Sequence, residues 1–204
     1  MHKELIFVVD PMCSWCWGFA PILEILRDSS AFKNTLVLGG LRTKGQMPWD
    51  SSSKLYLQGH WKQVAMTTGQ TFNNVLFKKE HFDYDTYPSS KAVVAVRELF
   101  GMTKAFEYLH ILQEAFYVHG KDITQIDSLV LLLESLDVDI KVFKTFYESD
   151  RAQVLMEHDF AKARSMGANA FPSVVIIDND GHMVCQKGYR SLEEMNTLLK
   201  DYNA

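Results

Sequence analysis

Cysteine is scarce in this chain: 204 residues contain three, Cys13, Cys16 and Cys185. A secreted scaffold held together by disulfides carries more of them, in even number, so that class is set aside. A closed zinc site takes four ligands, and no second Cys-x-x-Cys or closely spaced Cys/His pair supplies them. His60, His81, His110, His119, His158 and His182 are scattered singly, and no metal is expected. A basic excess is also missing, since 21 Lys and Arg stand against 25 Asp and Glu, a formal net charge of -4. Nucleic-acid binding, which leaves a basic footprint, is not expected. No apolar run approaches the roughly 18 residues that span a bilayer, so no membrane segment is predicted. Met1-His2-Lys3-Glu4-Leu5 shows no basic n-region, apolar h-region or small-residue cleavage site, and the expected location is the cytoplasm.

What is present is a chain 47% hydrophobic and 23% charged. It can bury a real core, as one domain with a large insertion or as two small domains. Its most informative feature is Cys13-Ser14-Trp15-Cys16. Leu5 to Val9 reads as a buried strand, broken by Asp10-Pro11-Met12. From Ser14 onward the pattern is helical, with Phe19, Ile22, Leu23, Ile25 and Leu26 on one apolar face. A Cys-x-x-Cys at such a junction puts its first sulfur beside the unsatisfied N–H groups of the opening helical turn. Those groups and the helix dipole favour a thiolate there. The second sulfur, one turn on, is placed to close a disulfide. Cys13 and Cys16 are therefore the candidate catalytic pair.

The remaining pattern has a helical middle and mixed ends. A second strand is predicted over Leu36 to Leu41, giving strand, helix, strand with a right-handed crossover. From about Pro48 to Met166 only helices are predicted: Leu55 to Gln70, Ser89 to Phe100, Thr103 to Val118, Leu129 to Leu136, Asp139 to Glu148 and Asp150 to Met166. Thr124 to Asp127 resembles a capping box. Ser173 to Ile177 is a strongly apolar strand, Asp178-Asn179-Asp180-Gly181 a turn, and His182 to Gly188 the paired strand. Ser191 to Glu194 is a second capping box, opening a helix through Tyr202. Trp15 is expected to face outward, with Trp17 and Phe19 in the core. Trp49 and Trp61 either line a groove near the dithiol or pack the helical block. Cys185 is read as a strand residue without redox duty.

This order of elements, with the string from Asp10 to Phe19, resembles the DsbA-like branch of the thioredoxin superfamily, in particular its FrnE-type predicted disulfide isomerases. A second match lies at Gly167-Ala168-Asn169-Ala170-Phe171-Pro172-Ser173. The resemblance implies an α/β thioredoxin-like fold: residues 1–47 and 166–204 form the thioredoxin-like domain and 48–165 an all-helical insertion. It also implies that Pro172 is cis and lies beside the dithiol, so that Phe171, Pro172 and Trp15 contact substrate. The expected activity is thiol–disulfide exchange on a protein, peptide or small-thiol disulfide, with no bound cofactor and with glutathione as a candidate redox partner. Thioredoxin's buried Asp has no counterpart among Ile6, Phe7 and Val8, so proton transfer to Cys16 needs another group or water.

Two other functions fit the same architecture. Glutathione-dependent transferases or isomerases resemble this chain in fold but place Ser where Cys13 stands; Ser89 and Ser90 are candidate contacts for such a thiol ligand. A peptide-binding chaperone would keep the dithiol as a redox switch. Monomer and homodimer both remain open.

Overall fold

The apolar run after Glu4 forms the centre of the sheet. The computed structural model describes residues 3–28, 32–43, 47–200 and 202; Met1 and His2, read above for a targeting segment, lie outside them. Strand β1 (Glu4–Val9) pairs in parallel with β2 (Lys33–Leu38) and antiparallel with β3 (Ser173–Ile177). In turn β3 pairs antiparallel with β4 (Met183–Lys187), so the order is β2-β1-β3-β4. Helix α1 (Ser14–Arg27) makes the predicted crossover between the two parallel strands.

A strand covered on both faces reads as unbroken apolar sequence, and β1 is such a strand. Leu5, Phe7 and Val9 belong to the large core shared with α1. Ile6 and Val8 pack on the other face with Val37, Val175, Ala163 and Met166.

Between β2 and β3 the regular elements among the described residues are helical: α2 (Ser51–Thr68), α3 (Tyr87–Phe100), α4 (Met102–Tyr117), α5 (Ile126–Leu133), α6 (Ile140–Tyr147) and α7 (Asp150–Ser165), with short 3₁₀ turns at Asn74–Lys78 and Glu134–Leu136. Helix α8 (Leu192–Lys200) follows the hairpin. The capping box at Ser191 forms, since the Glu194 amide donates to Ser191 Oγ (3.2 Å) and the Ser191 amide to Glu194 Oε2 (2.8 Å). The one predicted at Thr124 does not. There the Thr124 hydroxyl and amide both bond Asp122 Oδ1, a local turn that competes with the cap.

The second strand stops at Leu38 rather than running to Leu41. Gly40 turns the chain at φ 70°, and the Leu41 amide bonds Asp10 Oδ2 at 2.8 Å instead of a strand partner. The outer edge of β2 is closed by a buried ion pair. Arg97 on α3 and Asp159 on α7 meet in two contacts of 2.6 and 3.0 Å. Arg97 also donates to the Leu36 carbonyl, and the Leu38 amide donates to Asp159. Two helices of the insert are thus tied to the strand that flanks the dithiol loop.

Candidate active site

Cys13 is itself the residue that caps α1. Its backbone is extended (φ -87°, ψ 115°), and its carbonyl accepts the Trp17 amide at 3.0 Å. The Cys13 amide donates to the Asp10 carbonyl at 3.1 Å, so the Asp10-Pro11-Met12 break is a turn that delivers the cysteine to the helix N-terminus. Cys16 lies one turn further in. Both are free thiols, 5% and 2% exposed respectively. Burial pushes the Cys16 thiol well above its ordinary pKa, and its hydrogen bond with Cys13 adds to the effect.

Sheet register brings the second motif to the first. Val8 sits opposite Ser173 in the β1–β3 ladder, which sets the residues before Ser173 against the loop that follows β1. The Phe171–Pro172 peptide is cis, as the resemblance implied. The Cys13 thiol donates to the Phe171 carbonyl, Sγ to O 3.5 Å. Phe171's ring lies over Gly39, where an added Cβ would stand 2.1 Å from a ring carbon. Only glycine permits that approach.

Trp15 is half-buried at the rim, edge-on to His60 (6.1 Å between centroids) and tilted against Tyr189 (5.5 Å). Trp17 and Phe19 are buried as expected, with Trp17 Nε1 donating to the Thr71 carbonyl at 3.0 Å. The cleft at the dithiol has a volume of about 180 Å³. Trp61 lines it from the helical insert, whereas Trp49 does not, packing instead on Phe82 and bonding the Lys79 carbonyl. Ser89 and Ser90 are fully buried and absent from the cleft lining. Cys185 sits on β4 opposite Val175.

Other residues of the site were not singled out by their sequence. Asp10 is wholly buried, and burial raises its carboxyl to about pKa 6 despite bonds from the Met12 and Leu41 amides at 2.9 and 2.8 Å. Its charge is among the causes that raise Cys16. In the sequence Asp10 looked like a strand breaker; its place directly after a fully apolar strand was the one available signal. Arg42, His60, Tyr56 and Tyr84 also line the cleft. The Arg42 guanidinium lies 5.1 Å from the centre of the Tyr84 ring, and Tyr84 donates to the Met12 carbonyl at 2.7 Å. Burial, helped by the Arg42 charge, lowers the His60 pKa and so favours its neutral ring.

The comparisons agree with this geometry. A family model described as "Thioredoxin" matches residues 6–197. A candidate protein disulfide isomerase from Nitrosomonas europaea superimposes with a TM-score of 0.87 at 30% identity, covering 99% of this chain and 98% of that one. The cytosolic disulfide reductase DsbM from Pseudomonas aeruginosa gives 0.77 at 23% identity, over 98% of this chain and 95% of its own, and has also been solved with GSH (0.75, 22%). The ClpXP adapter protein SpxH of Bacillus subtilis (strain 168) is 24% identical over 177 residues, 86% of this chain but 58% of the relative's length. With the family match covering nearly its whole length, this chain belongs to the thioredoxin family and has the DsbA-like form of its fold.

Proposed function

We propose that this protein is a thiol–disulfide oxidoreductase in which Cys13 attacks and Cys16 resolves. The observation that carries the reading is the position of Cys13: it caps α1, opens onto the cleft and faces the Phe171 carbonyl, with Cys16 enclosed behind it. The Cys13 thiolate attacks one sulfur of a substrate disulfide, forming a mixed disulfide and releasing the other half as a thiolate. Cys16 then gives up its proton and attacks Cys13 Sγ. The mixed disulfide breaks, the second substrate thiolate leaves, and two electrons have passed from the dithiol to the substrate. Asp10 is the buried carboxyl whose charge Cys16 feels, and it is the natural acceptor for that proton.

In this reading residues 1–47 and 166–204 form the catalytic domain and 48–165 the insert that walls the cleft. Phe171 and Pro172 hold an extended substrate segment by their backbone, and Trp15 packs against it. The GSH complex of DsbM supports glutathione as a redox partner and the cytoplasm as the setting. A second reading, protein docking of the kind the SpxH name implies, is favoured by the exposed Leu55, Tyr56 and Met66 on α2, the helix that borders the cleft.

Glutathione disulfide and mass spectrometry test the proposal. Cys16→Ser should accumulate glutathione on Cys13, whereas Cys13→Ser should acquire none at Cys16 and lose disulfide reduction. Retained reduction in Cys13→Ser would overturn the assignment.

A further inference from the structure

A cavity of about 330 Å³ opens between α1 and α4, and it shares no lining residue with the dithiol cleft. Its walls include Leu23, Phe106, Leu109 and Leu136. Gln113 also lines it, although only 2% exposed, so its carboxamide is reached from the cavity. Beside it, Nδ1 of His110 is enclosed and without a hydrogen bond; Glu24 Oε1 is 3.5 Å away. Buried polar groups are nearly always satisfied, so the enclosed Nδ1 of His110 on this apolar wall calls for an explanation. An apolar bowl with a few inward polar groups is the usual form of a small-ligand site, and this volume is at the small end of the range.

We propose that this cavity binds a small, neutral, flat ring that carries an amide-type donor–acceptor edge. Three features select that chemistry. The volume and apolar walls suit a single ring. The Gln113 carboxamide offers a donor and an acceptor side by side, which an amide or lactam edge matches with two hydrogen bonds. At the rim Arg27 is outnumbered by Glu24 and Glu107, so no net positive charge is available to hold an anion. A protein partner fits less well, because none of the lining residues is a large, exposed apolar side chain. Occupancy would also be visible from the redox helix, since the His110 ring contacts Trp17 at 5.8 Å. The inference is independent of the dithiol chemistry.

Benzamide, toluene and benzoate are the probes, titrated into the full chain and followed by amide NMR shifts and Trp17 fluorescence. Benzamide should bind saturably, with a dissociation constant on the order of millimolar for so small a ligand. It should shift the amides of Leu109 and Gln113, and bind about tenfold more tightly than toluene, the worth of two neutral hydrogen bonds. Benzoate should bind more weakly than benzamide. In Gln113→Leu, an apolar replacement of similar size, the preference for benzamide over toluene should vanish. Equal binding of benzamide and toluene by the native protein would overturn the proposal without any variant. So would shifts centred on Trp15 and Tyr56, or no saturable binding at all.

Discussion

The carbonyl of Phe171 stands 3.5 Å from the sulfur of Cys13, although 158 positions separate them along the chain. The Phe171 ring in turn packs against Gly39, the residue that follows β2. Three segments, the end of β2, the dithiol loop and the turn before β3, are therefore joined through Phe171.

Replacing Gly39 tests the contact. A Cβ at that position would meet the Phe171 ring at 2.1 Å, so the ring must move and take its carbonyl with it. Gly39→Ala should lose about 1–3 kcal/mol of stability through overpacking. Misplacement of the Phe171 carbonyl should lower disulfide turnover by up to about a hundredfold. Urea unfolding and a reductase assay check both; unchanged turnover would show that the contact is not used.

Gly59 provides the contrast. It lies within α2, and nothing is within 4 Å of the position its Cβ would take. Gly59→Ala should stabilise the protein by about 0.5–1 kcal/mol, from helix propensity alone, with turnover unchanged. A lower melting temperature would contradict the open space seen beside α2.

Asp10 makes stability fall as pH rises. Its folded pKa of about 6 exceeds the ordinary 3.8 because burial disfavours the charge. The folded chain therefore keeps a proton that the unfolded chain releases, and the contribution is complete below about pH 4. It declines through the interval and is gone above about pH 6, a loss on the order of 3 kcal/mol. Subtracting the stability profile of Asp10→Asn from that of the native protein should leave this downward slope; a flat difference would refute it. If Asp10 takes the Cys16 proton, single-turnover resolution of the mixed disulfide should also show an inflection near pH 6 that the variant lacks.

Alkylation should distinguish the two active-site thiols. Cys13 opens onto the cleft, whereas Cys16 is enclosed and held as a thiol by burial and by Cys13. Iodoacetamide at neutral pH should label Cys13 well before Cys16, as read by peptide mass mapping. Equal labelling rates would argue against Cys16 as the enclosed, resolving partner.

The Arg97–Asp159 pair should prove costly to break singly. Each residue is largely buried, and between them they hold Leu36 and Leu38 on the outer edge of β2. Arg97→Leu or Asp159→Leu alone should cost about 3–5 kcal/mol, because each leaves a buried charge. The double variant should fall short of the sum by about 1–3 kcal/mol. Strict additivity in urea unfolding would mean that the pair is not coupled.

By itself the sequence determined the order of elements, the dithiol at a strand-to-helix junction and the apolar hairpin near the C-terminus. Periodicity, turn residues and helix breakers act between near neighbours, so Leu5 to Val9, the Asp178 turn and the Ser191 capping box were legible without a structure. Tertiary packing decided what those signals cannot carry. Thr124 looked like a cap until Asp122 took its hydroxyl, and Leu36 to Leu41 looked like one strand until Asp10 took the Leu41 amide. Asp10 is an ordinary loop carboxyl in sequence and becomes a buried acid only where β1, β2 and the insert close around it. Arg42 and His60 reach the cleft, and Gln113 its separate cavity, for the same reason. Burial, charge and proximity across long stretches of chain depend on which surfaces the sheet register and helix packing bring together.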